Sequence, residues 1–124
     1  MSKKILIVDD EPNIVISLEF LLKREGFTVA VASDGEEALV RMAGFRPELV
    51  LLDIMMPKKS GFEVCQEIRA HPEWAEVKVV MLTAKGRDTE MAKGLAVGAD
   101  AYMTKPFSTR DVVAKVRQLL GMAE

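Results

Sequence analysis

Apolar residues along this chain recur with two different periods, and the switches between them mark out the elements. Lys4-Ile5-Leu6-Ile7-Val8 is a β-branched run that stops at Asp9-Asp10, and Pro12 follows where a first helical turn tolerates it. Ile14, Leu18, Leu21 and Leu22 then repeat at helical spacing until Gly26, which suits a left-handed residue after the last turn. Thr28 to Ala32 predicts a second strand. Ser33 with Glu36 has the spacing of a capping box ahead of a helix carrying Ala38, Leu39 and Met42, and Pro47 stops it. Leu49 to Leu52 is apolar without alternation, as expected of a strand covered on both faces, and it runs straight into Asp53.

Ser60 and Glu63 repeat the capping-box spacing before a helix with Phe62, Cys65 and Ile68 inward, ending near His71-Pro72. Val77 to Leu82 predicts a fourth strand that stops at Thr83-Ala84. Asp88 is placed to cap a fourth helix bearing Met91 and Leu95, with Gly98 at its exit. Ala101-Tyr102-Met103-Thr104 is a short fifth strand ending at Lys105-Pro106. Ser108 with Asp111 opens a last helix whose Val112, Val113, Val116, Leu119 and Leu120 face inward. Strands alternating with helices imply parallel crossovers, which are right-handed and leave helices on both sheet faces. The expectation is a doubly wound α/β fold of five parallel strands and five helices, forming a single domain over residues 1–124.

A chain of 124 residues has room for one core burying about 70% of its unfolded surface. With 17 Lys+Arg against 19 Asp+Glu it carries no basic footprint, so direct nucleic-acid binding is not expected. Trp74 therefore reads as a loop anchor rather than a base-stacking platform, and His71, the one histidine, as a surface residue. Cys65 has no partner for a disulfide and sits in an apolar helical pattern, which makes it a small core residue. Met1-Ser2-Lys3-Lys4 leads into only four apolar residues, too few for a signal core or a membrane span, so a cytoplasmic protein is expected.

In a parallel sheet the carboxyl ends of all strands share one edge, where open α/β sheets bind ligands. Asp9, Asp10, Asp53, Thr83 and Lys105 each follow a strand and should meet there. Carboxylates held close raise one another's pKa unless positive charge enters. A hard divalent cation meets that need: Mg²⁺ is satisfied by one or two carboxylates and leaves positions open for water and a phosphate oxygen. Lys105 adds a compact point charge suited to the same oxygen.

These residues carry a resemblance. Ile7-Val8-Asp9-Asp10-Glu11, Leu51-Leu52-Asp53-Ile54-Met55-Met56-Pro57 with Gly61, Leu82-Thr83-Ala84, and Gly98-Ala99-Asp100-Ala101-Tyr102 running into Thr104-Lys105-Pro106-Phe107 together resemble the receiver domain of two-component response regulators. The match extends along essentially the whole chain and is similar to the single-domain chemotaxis-type regulators. The resemblance implies a flavodoxin-like sheet in strand order 2-1-3-4-5. It implies that Asp53 accepts a phosphoryl group from a phosphohistidine on a sensor kinase or phosphotransfer protein, with Thr83 and Lys105 assisting. It further implies Mg²⁺ bound by Asp10, Asp53 and the main-chain carbonyl of Met55, with Asp9 acting through water. Met55, Ala84 and Lys85 would flank the phosphate, and Lys105-Pro106 would be a cis peptide.

The same resemblance implies that phosphate draws Thr83 inward and lets Tyr102 swing into the vacated space, changing the surface of fourth helix, fifth strand and fifth helix read by an output partner. Lys93, Asp100, Asp111, Lys115 and Arg117 resemble charges that pair across receiver dimers, although Ala101 departs from the acidic residue common there; a phosphorylation-linked homodimer is weighed against a solvated face. Met55 offers no side chain to position an attacking water, so slow self-dephosphorylation is expected. Two rivals stay open. A Mg²⁺-dependent phosphatase with an aspartyl nucleophile also follows an apolar strand with Asp, but Met55 stands where such enzymes place a second acid. An interaction module independent of phosphorylation would use the same fold. The kinase, the output, and whether the chain acts alone or within a larger regulator are left open.

Overall fold

The computed structural model describes residues 3–56, 58–84, 92–93 and 96–122. The five apolar runs form β1 (Lys4–Val8), β2 (Thr28–Ala32), β3 (Leu49–Asp53), β4 (Lys78–Ala84) and β5 (Ala101–Lys105). They make one sheet in the order β2-β1-β3-β4-β5, with every pairing parallel. Helices α1 (Pro12–Arg24), α2 (Gly35–Phe45) and α3 (Gly61–Ala70) and a C-terminal helix (Thr109–Leu119) cover it, with a short 3-10 turn at Pro72–Trp74. The expected helix capped by Asp88, with Met91 and Leu95, falls at those residues outside the described ones; Ala92, Lys93 and Ala96 are helical.

Alternation along the strands sorts the interior into two cores. Ile5, Ile7, Leu49, Leu51, Val80 and Leu82 pack with α1 and the C-terminal helix through Leu18, Leu22, Val112 and Val116. Leu6, Val8, Val50, Leu52, Val79 and Met81 pack with α2 and α3 through Ala38, Met42, Val64, Cys65 and Ile68. Each strand position thus chooses its face by parity. All five residues of β3 are buried, which accounts for its unbroken apolar run.

Helix ends follow the predicted chemistry with one displacement. Ser60 and Ser108 cap α3 and the C-terminal helix by accepting from the amides of Glu63 and Asp111. Before α2 the expected box of Ser33 and Glu36 is shifted by one: Asp34 caps, accepting from Glu37 N at 2.8 Å, and Glu37 Oε1 takes the Ser33 amide and hydroxyl at 2.8 and 3.0 Å. The carboxylate of Asp34 also lies 3.7 Å from Lys58 Nζ, a partner reached from the cap. In α3 Val64 is fully buried, whereas Phe62 is only half-buried with Lys93 Nζ 4.6 Å from its ring centroid. Trp74 packs at the edge of the second core and stacks on exposed His71 at 4.0 Å, which is the anchoring role expected of it.

Strands β3, β4 and β5 run past their expected ends, to Asp53, Ala84 and Lys105. Asp53 and Thr83 are therefore fixed by the ladder itself. The end of the sheet away from these residues is fastened by Arg69 of α3. Its Nε donates to Gly98 O at 2.8 Å, Nη1 to Val77 O at 2.8 Å, and Nη2 to Asp100 Oδ2 at 2.6 Å, while Asp100 Oδ2 also accepts from Val79 N.

Gly61 closes the turn after β3. Its amide donates to Ile54 O at 2.9 Å, and a Cβ there would lie 2.3 Å from the Asp53 carbonyl oxygen, which is main chain and cannot yield. Gly61→Ala should lower stability by about 1–3 kcal/mol in urea denaturation, as overpacking does, and should shift the amide resonances of Asp53 and Ile54 more than those of β2.

Candidate functional site

Register puts the acidic residues side by side. Val8 of β1 pairs with Leu52 of β3, so the next residue of each strand, Asp9 and Asp53, emerges beside the other. Asp53 pairs in turn with Leu82, and one step on Thr83 and Ala84 pair with Thr104 and Lys105. Parity continues past the core: Asp53 and Lys105 keep the phase of Leu51 and Met103, while Thr83 keeps that of Met81.

Carboxylate oxygens of Asp9, Asp10 and Asp53 lie within 4.8 Å of one another. Asp9 and Asp53 are buried and Asp10 is exposed at the rim. Into this cluster Lys105 extends its ammonium across the end of β4, reaching Asp9 Oδ2 at 3.0 Å, Asp53 Oδ1 at 3.3 Å and Glu11 Oε1 at 2.9 Å. The other oxygen of Asp9 accepts from the Glu11 amide at 2.9 Å. The Thr83 hydroxyl is buried with no hydrogen-bond partner among the described residues, an arrangement that is costly unless a ligand accepts from it.

Among the described residues one ammonium, that of Lys105, faces Asp9, Asp53 and Glu11, with Asp10 beside them. Burial pushes the Asp53 carboxyl up to about 6, with the neighbouring Asp9 charge adding to it and Lys105 only partly opposing it. Burial acts to lower the Lys105 pKa, but its bonds to Glu11 and Asp9 and the charges of Asp53 and Asp9 outweigh that, so it stays protonated. Clustered hard oxygen donors with uncompensated negative charge and room at an exposed rim fit a divalent cation of the Mg²⁺ type.

The structure brings Asp9, Asp10, Asp53 and Lys105 together as the sequence led us to expect. Thr83 takes its place one register step beyond the partner of Asp53. Met55, two residues beyond Asp53, is 68% exposed. The backbone of Ala84 closes β4, and Lys85 lies outside the described residues. Lys105-Pro106 is cis. Tyr102 is 37% exposed on β5, and because Met81 pairs with Tyr102 and Thr83 with Thr104, Tyr102 and Thr83 share a sheet face. Of the charges considered for a dimer face, Asp100 is already held by Arg69, and Arg117 lies 3.5 Å from Glu25. Cys65 is buried, donates to Val97 O at 3.5 Å, and has its thiol pushed up to about 11 by burial, so it is unreactive. Sequence reasoning missed the side chain of Glu11: it was seen only as part of a motif, and a contact 94 residues away leaves no periodic trace.

Among known proteins, residues 5–117 match the family model described as the response regulator receiver domain. Over 124 residues the chain is 48% identical to the alkaline phosphatase synthesis transcriptional regulatory protein PhoP of Bacillus subtilis (strain 168), covering 100% of this chain and 51% of that protein. It therefore spans about half the length of that relative. Chemotaxis response regulator CheY4 of Vibrio cholerae has a similar structure, with a TM-score of 0.90 and 28% identity, covering 96% of this chain and 99% of the other. The receiver domain of sensor histidine kinase PA1611 from Pseudomonas aeruginosa PAO1, solved with a magnesium ion coordinated in its active site cleft, gives 0.89 at 26% identity, covering 98% and 99%.

The raised acid at position 53 has a measurable consequence. Its folded pKa lies above its unfolded one, so the proton stabilises the fold fully below about pH 4 and that stability is lost as the pH rises through about 6. Above that window the ionised carboxylate should cost about 2–3 kcal/mol. Without divalent cations, Asp53→Asn should be more stable than wild type in urea denaturation at pH 8 and nearly equal to it at pH 4.

Proposed function

The chain belongs to the response regulator receiver domain family of two-component signalling, and on that premise we propose that Asp53 takes up a phosphoryl group from the phosphohistidine of a sensor kinase or phosphotransfer protein. The observation that carries this reading is the buried Asp53 carboxylate, fixed at a strand end among Asp9, Asp10 and the Lys105 ammonium. A carboxylate oxygen of Asp53 attacks phosphorus in line, the bond from phosphorus to the donor's ring nitrogen breaks, and its electron pair stays with the imidazole. The product is an acyl phosphate. Phosphoryl transfer needs mostly positioning and neutralised charge, which is what this edge of the sheet offers.

Asp10, Asp53 and the main-chain carbonyl of Met55 would hold Mg²⁺, with Asp9 acting through water; the ion supplies neutralising charge to the transferring oxygens. Lys105 gives a phosphoryl oxygen a fixed positive partner. Thr83 donates its unpaired hydroxyl to another. Both interactions exist only once the phosphate is present, so they favour the state in which it is seated. The chain is a phosphoacceptor that assists its own loading and hydrolysis rather than a turnover enzyme.

The readout follows from the sheet. As Thr83 turns toward the phosphate, Tyr102 on the same face gains room to move inward, and the surface formed by β5, the C-terminal helix and the helix preceding β5 changes for an output partner. That partner engages a protein surface; the charge balance offers no nucleic-acid footprint. Among the described residues no helix is long and apolar enough to cross a membrane, which accords with action in the cytoplasm. Residues 1–124 act as one receiver unit, and a phosphorylation-linked homodimer would rest on Lys93, Asp111 and Lys115 more than on Asp100.

Incubation with acetyl phosphate and Mg²⁺ should raise the intact mass by one phosphate in wild type and leave Asp53→Ala unchanged; wild type that never gains the phosphate would overturn the assignment. Thr83→Ala should still be labelled but should lose the phosphate-dependent change in Tyr102 fluorescence or resonance. Replacing Met55 by Asn together with Lys85→Glu should shorten the phosphate's lifetime severalfold, measured by mass after donor removal, because polar groups can then orient the hydrolytic water.

A further inference from the structure

Glu11 occupies the N-cap of α1, where a side chain ordinarily accepts from the amides of the first turn. It makes no such bond. Its amide is fixed instead by Asp9 Oδ1 at 2.9 Å, and its carboxylate, although 59% exposed, makes the shortest of the three contacts to Lys105. We infer that Glu11 is a positioning residue that tethers the Lys105 ammonium at the rim of the acidic site, keeping it beside Asp53 when a cation claims the carboxylates of Asp9 and Asp53.

This rests on the reading of Asp53 as a metal-assisted phosphoacceptor. Three donors of one ammonium meet three carboxylates, two of which belong to the acidic cluster that a divalent cation would occupy. A cation entering the cluster displaces the ammonium from Asp9 and Asp53 and repels it. Glu11 is the partner outside the cluster, so the ammonium keeps one charge-assisted bond and stays within reach of an arriving phosphoryl oxygen. Without Glu11 the displaced ammonium has no partner among the described residues outside the cluster, and cation entry becomes less favourable.

A remote negative charge would also attract a cation, so the test separates reach from charge. Mg²⁺ alone, without phosphoryl donor, is titrated by calorimetry into wild type, Glu11→Gln and Glu11→Asp. The tether predicts that both variants bind about tenfold more weakly, because the shorter acid keeps its charge but loses its reach. It also predicts a non-additive cycle: in a Lys105→Met background, Glu11→Gln should change affinity less than twofold. With three partners in the cation-free wild type, the Lys105 ammonium should exchange slowly enough to give a resonance, and that resonance should broaden in both Glu11 variants. Equal affinity of Glu11→Asp and wild type, or an undiminished effect of Glu11→Gln in the Lys105→Met background, overturns the tether alone. Wild type that neither binds Mg²⁺ nor gains phosphate overturns the underlying reading, and the tether with it.

Discussion

Too much negative charge gathered at one edge of the sheet is the constraint from which the site's behaviour follows. Asp9 and Asp53 are buried against their neighbours, Asp10 and Glu11 stand at the rim, and among the described residues one ammonium, that of Lys105, reaches Asp9, Glu11 and Asp53. Charges removed from water demand partners. Here the partnering is incomplete, as the elevated Asp53 pKa shows. The site is held in a condition that favours whatever brings positive charge in, and an orphaned Thr83 hydroxyl favours whatever then brings acceptors. The fold tolerates this strain because it is confined to a few residues at strand ends, away from two well-packed apolar cores.

Those cores perform the positioning. With the central strands β1 and β3 buried by parity against helices on either side, a slip of one residue in register would send an entire strand's side chains to the wrong face. The pairings of Val8 with Leu52, Asp53 with Leu82 and Ala84 with Lys105 are thereby locked, and with them the relative placement of the functional groups. Gly35 and Gly61 extend the same logic to the loops. At each, a methyl group would meet the chain of Lys59 or of Asp53 at under 3 Å, so the loops after β2 and β3 approach as closely as they do because nothing projects between them.

Much of this was legible in the sequence, and the misses have identifiable causes. Alternating strands and helices, helix caps at Ser60 and Ser108, and convergence of Asp9, Asp10, Asp53 and Lys105 follow from periodicity and from the shared edge of a parallel sheet, whereas the strand order came from the family resemblance. The cap of α2 was displaced by one residue because Ser33, Asp34, Glu36 and Glu37 offer two overlapping boxes, and only three-dimensional neighbours such as Lys58 separate them. Val64 was hidden behind Phe62, the larger and more apolar residue, since periodicity on a ten-residue helix leaves its angular phase loosely set. The Glu11 contact with Lys105 and the Arg69 contacts with Gly98 and Asp100 join distant parts of the chain through single side chains. No repeat or local spacing announces such pairs.

The Arg69 network changes how motion in the sheet can be distributed. It pins the start of β5 to α3 and to the start of β4, and Gly98, held at φ +104°, has its missing Cβ position filled by the Arg69 stem. At the opposite end of the same strand, Lys105 is gripped by groups whose charge balance changes with what the site contains. With its root held and its ladder to β4 intact from Ala101 to Lys105, the edge strand leaves a change in force at its chemical end to be taken up by side chains and by the chain beyond Pro106 rather than by a slip in register.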